Sequence, residues 1–350
     1  MRDKSNRDYT GKTVFIGIDV HKRTFSLVAL CEGVIVKKWS MSSEVSKCVG
    51  QVIKYFSGAK ILSVYEAGFS GYSLHRALIE AGIENIVINP SSVQKASNDR
   101  VKTDLLDAKK MALQLSQGLL RGIEVPSRER ELQREVCRMR SQLVEHRVAV
   151  GLQIKSKLLY YGLMLPTDHR KLSEKYFKEL EVLDIESEIK ISFKILMDLW
   201  RDLTKKIKEL ESELEKQEEN DPKVTRIYRS VPGVGLITSR ILATELGDLN
   251  KRFRNERELF SYTGLTPSEY SSGDRVHKGR ITRCGSSKIR WILTEAAWLC
   301  IRKDEAMREV YERIKQKRGS KKAIIAVARK LIGRIRSCFV QGCEYQLGMI

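Results

Sequence analysis

The feature that most constrains this chain is the order of strand-forming and helix-forming segments over residues 14–120. VFIGIDV is a short apolar run with β-branched residues, TFSLVALC follows it closely, and GVIVKKWS returns after a Cys-Glu-Gly turn. Three such runs joined by tight turns read as a meander. The pattern then changes to a helical stretch near 44–57, a buried strand ILSVYEA, a helix SLHRALIEAG ending at Gly82, a strand NIVINP closed by Pro90, and a helix DLLDAKKMALQLSQG. Strands that alternate with helices mark an α/β domain.

A meander feeding strand–helix units is the order of an RNase H-like α/β fold, and it also occurs in the actin and sugar-kinase ATPases. In this order Asp19 and Glu66 fall where predicted strands end, and Asp104 and Asp107 lie three apart at the start of a predicted helix. An acid at the carboxyl end of a strand in such a sheet points into the crevice where ligands sit. The competing reading of Asp104 is an N-cap, with Asp107 favoured by the helix dipole. Spacing of three also puts both on one helix face, so both can reach one ion. Clustered carboxylates repel, and Mg²⁺ takes hard oxygen ligands from a few carboxylates plus substrate phosphates. His21 lies beside Asp19, where a structural or substrate-contacting role is expected ahead of a metal role.

The chain carries 64 Lys and Arg against 44 Asp and Glu, a formal net charge of +20 over 350 residues. That excess calls for a polyanionic partner, of which nucleic acid is the commonest soluble one. Acids that hold a divalent cation in a basic protein point to metal-assisted chemistry on a nucleic-acid backbone. Hydrophobic residues make up 42%, which excludes a disordered chain. No apolar run approaches the roughly 18 residues of a spanning helix, and MRDKSNRDYTGK has no apolar signal-peptide core. The expectation is a cytoplasmic protein with no membrane partner. Seven scattered cysteines with no C-x-x-C pair argue against a zinc ribbon or a disulfide framework.

Three parts are expected: 1–122, 123–222 and 223–350. In the middle part Phe193, Leu196, Trp200, Leu203, Ile207, Leu210 and Leu214 repeat at alternating spacings of three and four, a heptad seam. An earlier helix carries Leu132, Val136, Met139, Leu143 and Val150 at similar spacing, and YYGLMLP at 160–166 turns the chain between two long antiparallel helices. Two readings stand open, an intramolecular helical hairpin and a dimerisation arm. The third part opens with SVPGVG between helical stretches, resembling a helix-hairpin-helix, where Gly233 and Gly235 let backbone N–H groups approach a phosphate. Arg275, Lys278, Arg280, Arg283, Lys288 and Arg290 follow, then a basic run from Arg313 to Lys322 and a helix AIIAVARKLIGRI. Ser271 and Ser272 precede Gly273 in a turn, and a serine there can attack phosphorus if its proton is removed and the phosphate charge neutralised.

These blocks together resemble the DEDD-type transposases of bacterial insertion sequences, also described as bridge-RNA-guided recombinases. The resemblance is carried by GIDVHK with Asp19, YEAG with Glu66, KTDLLDAKKMA with Asp104 and Asp107, VPGVGLITSRILATELGD, FSYTGLTPSEYSSGDRVHKGRITRCGSSKIRWILTEAAW and KKAIIAVARKL, in family order. It implies an RNase H/RuvC-like α/β domain whose four acids bind Mg²⁺, with Mn²⁺ as the alternative. It also implies a helical coiled-coil middle and a mainly α C-terminal transposase domain with a helix-hairpin-helix and a nucleophilic serine. That serine maps to Ser272, with Ser271 as its rival. The implied partners are double-stranded DNA (element ends and target), a structured guide RNA, and further copies of the chain as a dimer or tetramer, in the bacterial nucleoid. The implied reaction is strand cleavage and exchange through a covalent phosphoserine–DNA intermediate, with a site completed between subunits. Cys284-Gly-Ser-Ser departs from the Gly-Asn or Gly-Asp pair that relatives often carry, which loosens Ser286 and Ser287 but not the acids. The rival readings are a RuvC-like Holliday-junction nuclease using water, a sugar-kinase-type ATPase, and a non-catalytic nucleic-acid binder.

Overall fold

In the first strand, β1 (Thr13–Val20), side chains alternate between two buried faces. Val14, Ile16 and Ile18 enter one apolar cluster and Phe15 packs against another, as the period of two requires. Both faces of the sheet must therefore be covered, and the helices cover them. The computed structural model describes residues 8–94, 103–165, 171–216, 222–272, 275 and 277–348. It divides into two units, Met1–Pro126 and Ser127–Ile350.

In the first unit β1, β2 (Thr24–Cys31) and β3 (Val34–Ser42) form the expected antiparallel meander. Helix α1 (Val45–Tyr55) leads to β4 (Lys60–Glu66), which pairs in parallel with β1. Helix α2 (Ser73–Glu80) leads to β5 (Glu84–Ile88), which pairs in parallel with β4. The elements follow one another along the chain as the sequence predicts, and the sheet order is β3-β2-β1-β4-β5. Cys48, Val52, Leu74 and Leu78 put α1 and α2 on the face of Ile16 and Ile18. Helix α3 (Asp104–Ser116) lies on the other face, where Ala108 and Ala112 meet Val28 and Leu30, and Met111 meets Val64 and Ile88.

The second unit is mostly helical. Helices α4 (Arg128–Tyr160), α5 (Glu174–Glu181) and α6 (Ser187–Lys216) share a core of Ile154, Leu158, Phe177, Phe193, Met197 and Leu203. Arg140 bonds Glu211, and Arg147 lies over the Trp200 ring, so α4 and α6 run antiparallel. The heptad seam thus packs within its own chain: Phe193, Leu196, Trp200 and Leu203 join the core with α4 and α5, and Leu214 packs with Cys137. Of the turn at 160–166, Pro166 lies outside the described residues.

Helices α7 (Pro222–Arg229), α8 (Leu236–Leu246), α9 (Leu249–Arg252) and α10 (Glu256–Thr263) come next. A hairpin of β6 (Pro267–Glu269) and β7 (Lys278–Ile281) follows, then α11 (Ser287–Lys303), α12 (Glu305–Arg318) and α13 (Ser320–Gln341). The expected AIIAVARKLIGRI helix is the buried middle of α13, with Val327, Ala328, Leu331 and Ile332 fully enclosed. Among the described residues, no helix is long and apolar enough to cross a membrane.

Candidate metal centre and nucleic-acid surface

Gly17 fixes where α3 meets the sheet. A Cβ at this position would lie 2.0 Å from the Ala108 carbonyl oxygen and 2.7 Å from the Ala112 nitrogen, so only glycine lets the helix backbone rest on the strand. From Gly17 to Asp19 the strand advances roughly 6.6 Å along the same face. From Ala108 back to Asp104 the helix covers about 6 Å. The matched steps bring the first acid of α3 over Asp19 near the end of β1. The N-cap of α3 is Thr103, whose Oγ1 accepts from the Leu106 N–H at 3.3 Å. This removes the competing reading of Asp104 as the cap: the threonine does that work, and the Asp104 carboxylate is left to face the cluster.

His21 lies one more alternation along, on the face of Asp19, with its backbone N–H donating to the Thr24 carbonyl at 2.9 Å. Its Nε2 sits 3.1 Å from Asp19 Oδ2 and 3.3 Å from Asp104 Oδ1. Among the described residues, Asp19, His21 and Asp104 form a group whose ligand atoms lie within 4.8 Å of one another. Asp107 and Glu66 are not members of that group. The β1–β4 register pairs Ile18 with Tyr65, so one residue further it sets Glu66 beside Asp19. Val64 and Met111 share a cluster, and the same two-residue and four-residue steps carry Glu66 and Asp107 to this edge. Lys110 lies 3.9 Å from Asp107.

Burial pushes the Asp19 carboxyl above its ordinary range; His21 pulls it down, and the charges of Asp104 and Asp107 push it further up. A half-buried carboxylate with like charges around it lacks positive charge. An oxygen-rich donor set with one imidazole fits a divalent cation. Asp19 and Asp104 would hold it, with His21, Glu66 and Asp107 within reach of the same edge.

The second unit carries the other predicted residues. Ser271 and Ser272 end the first arm of the β6–β7 hairpin, where Ser272 and Arg275 bond each other's backbone at 3.2 Å. Gly273 lies outside the described residues. Glu269 and Ser271 share one face of the arm, and Ser271 Oγ donates to Glu269 Oε1 at 2.8 Å. Lys278 stands opposite Glu269. Arg275, Lys278, Arg280 and Arg283 are exposed. Arg290 is engaged otherwise: its Nη1 donates to the carbonyls of Thr263, Cys284 and Gly285 at 3.3, 2.6 and 3.2 Å, bracing the loop before α11. Ser286 caps α11 through the Ile289 N–H.

The SVPGVG turn lies between α7 and α8 as expected. Gly233 takes φ +86°, and a Cβ there would meet Leu299 at 2.5 Å, so packing and a left-handed backbone demand this glycine. Gly235 is the N-cap of α8, without a side-chain cap and with open space around its Cα. Two residues carry more than the sequence reading assigned them, His21 and Glu269. The available signal is the i, i+2 spacing in Asp19-x-His21 and Glu269-x-Ser271, which places each pair on one face of an extended arm.

Comparison with known proteins finds transposases. A family model of DEDD-type IS110 transposases matches residues 16–162, and the model of the Transposase IS116/IS110/IS902 family matches residues 225–312. The Sinorhizobium fredii protein y4qE, which carries a transposase name, is 28% identical over 82% of this chain and 72% of its own length. The transposase for insertion sequence element IS1533 of Leptospira borgpetersenii is 27% identical over 82% of this chain and 85% of its own. The transposase for IS1111A of Coxiella burnetii is 23% identical over 90% and 86%. The solved structure of Thermus thermophilus RuvC overlaps 31% of this chain and 99% of that one, with a TM-score of 0.24 and 14% identity. With two transposase family models matching in order on one chain and relatives named as transposases aligned across most of it, this chain is similar to the DEDD transposases of the IS116/IS110/IS902 family and is an enzyme that acts on DNA.

Proposed function

We propose that the chain is the recombinase of a bacterial insertion sequence, cutting and exchanging DNA strands at a divalent-cation centre and through a covalent phosphoserine intermediate. The observation that carries this reading is the approach of Asp19 and Asp104 to within reach of one ion, from residues far apart in sequence. Asp19, Glu66, Asp104 and Asp107 form the ligand set, for Mg²⁺ with Mn²⁺ as the alternative. Such a cation supplies positive charge to the phosphate oxygens as charge develops there.

The chain's own residues do the rest. Ser272 is the nucleophile assigned from the sequence. Its Oγ loses its proton and bonds to phosphorus, and the bond from phosphorus to a deoxyribose oxygen breaks. The leaving oxygen takes up a proton; the freed hydroxyl of a partner strand later attacks the same phosphorus, the phosphorus–Oγ bond breaks and Oγ regains a proton, so the number of phosphodiester bonds is conserved in the exchange. The hydrogen bond from Ser271 to Glu269 favours the neighbouring serine, because that carboxylate already faces the proton to be removed. Exposed Arg275, Lys278, Arg280 and Arg283 neutralise backbone phosphates, and the open N-terminus of α8 at Gly235 offers N–H groups to another. The +20 charge supports two polyanionic partners, DNA and a structured guide RNA. Assembly as a dimer or tetramer in the nucleoid belongs to the same proposal.

The test is strand cleavage and adduct trapping with Asp19→Ala, Ser271→Ala and Ser272→Ala. Loss of cleavage in Asp19→Ala, and of the DNA–protein adduct in one serine variant, is the expected result. Cleavage with no adduct in the parent protein would make water the nucleophile. Full activity in Asp19→Ala would remove the metal centre.

A further inference from the structure

We infer that His21 is a nitrogen ligand of the cation held by the acids, and that it shifts the centre's preference from Mg²⁺ toward Mn²⁺. The inference rests on the metal-centre reading and deepens it.

The placement of His21 follows from the hairpin. Asp19 pairs with Ser26 and Val20 with Phe25 across β1 and β2, and the His21 N–H to Thr24 carbonyl bond continues that register by one step. The alternation therefore turns His21 to the face of Asp19, toward α3. Its Nε2 is the atom that stands between the two aspartates, 3.1 Å from one and 3.3 Å from the other. This ring is about half exposed and presents its nitrogen.

The chemistry follows from donor type. Mg²⁺ demands oxygen donors and keeps much of its water. Imidazole nitrogen suits first-row transition metals; Mn²⁺ stands at the weak end of that row and favours oxygen donors as Mg²⁺ does, yet it accepts a nitrogen donor more readily than Mg²⁺. An all-carboxylate site gives Mn²⁺ a small advantage, and a neutral imidazole added to it enlarges that advantage without adding charge. His21→Ala should therefore weaken Mn²⁺ far more than Mg²⁺. His21→Asp, which swaps nitrogen for a charged oxygen, should restore binding of both ions without restoring the preference.

The experiment uses the full chain without nucleic acid. Mn²⁺ binding is titrated by electron paramagnetic resonance, Mg²⁺ by competition against Mn²⁺, and direct nitrogen ligation is read from the ¹⁴N modulation of the electron spin echo. The parent protein should show modulation from a bound imidazole. His21→Ala should lose it, with Mn²⁺ affinity falling about tenfold or more and Mg²⁺ affinity changing about twofold or less. Unchanged modulation in His21→Ala, or an equal loss for both ions, overturns the role of His21. Mn²⁺ binding that survives Asp19→Asn combined with Asp104→Asn instead overturns the metal centre, so the two failures are told apart.

Discussion

At the scale of single residues, one missing methyl group decides whether the acids meet. Replacing Gly17 by Ala drives a Cβ into the backbone of α3, where the nearest atom would stand 2.0 Å away and no side chain can move aside. Overpacking of this kind costs about 1–3 kcal/mol. Gly17→Ala should melt at a lower temperature than the parent and bind Mn²⁺ more weakly, because a displaced α3 carries Asp104 off the strand end. A second prediction concerns charge. Asp19 is half-buried among Asp104 and Asp107, so without a cation its charge opposes folding. Asp19→Asn removes that repulsion and keeps the shape. It should melt no lower than the parent in chelator, yet lose the rise in melting temperature that Mn²⁺ gives the parent. A drop in chelator alone would show that Asp19 has a structural partner instead.

At the scale of elements, α3 matters through its first turn. Thr103 caps it, and Asp104 and Asp107 lie where the helix dipole favours negative charge. Thr103→Ala should cost about 1 kcal/mol, and amide exchange should quicken at Leu106 and its neighbours with the rest of the sheet unchanged. Helix α13 is held differently. Arg334 Nη1 donates to buried Asp304 at 3.0 Å, Tyr345 donates to the same oxygen at 2.6 Å, and the Tyr345 N–H donates to Ser230, the first residue of SVPGVG. Arg334→Ala strands the Asp304 charge and should cost about 3–5 kcal/mol, read as a lower denaturant midpoint for the second unit. These elements differ in how far their sequences disclose them. The strands of the first unit show because VFIGIDV and ILSVYEA are β-branched, apolar and bounded by turns. Asp19, Glu66, Asp104 and Asp107 stand out because each lies at or near an element end. The parallel register that sets Glu66 beside Asp19 does not show, since residues 20–60 between them fix no pairing step. The partner of the α6 seam does not show either, because heptad spacing is the same whether the facing helix belongs to this chain or to another. The Ser271–Glu269 contact is hidden for a third reason: the β6–β7 hairpin is short, and its strand alternation is masked by polar residues on both faces.

At the scale of the whole molecule, the net charge of +20 sets how binding should respond to salt. Each phosphate neutralised by a cationic side chain releases condensed counterions, so the logarithm of affinity falls with the logarithm of salt by about 0.9 per contact on duplex DNA. The cations that can do this are those not already committed elsewhere. Arg201 is committed, with its guanidinium shared among Glu174, Glu181 and Asp198. Arg290 is spent on three carbonyls of its own loop. Arg275, Lys278 and Arg280 are exposed on the hairpin arms. Replacing each of these three by Gln should flatten the salt slope by about 0.9, and the effects should add, because each neutralises its own phosphate. Arg201→Gln should leave the slope where it was. Fluorescence anisotropy of a labelled duplex across a salt series reads both. If Arg201→Gln flattens the slope as much as the hairpin variants do, the hairpin is not the DNA-contacting surface, and the serines at its tip are not presented to a phosphodiester.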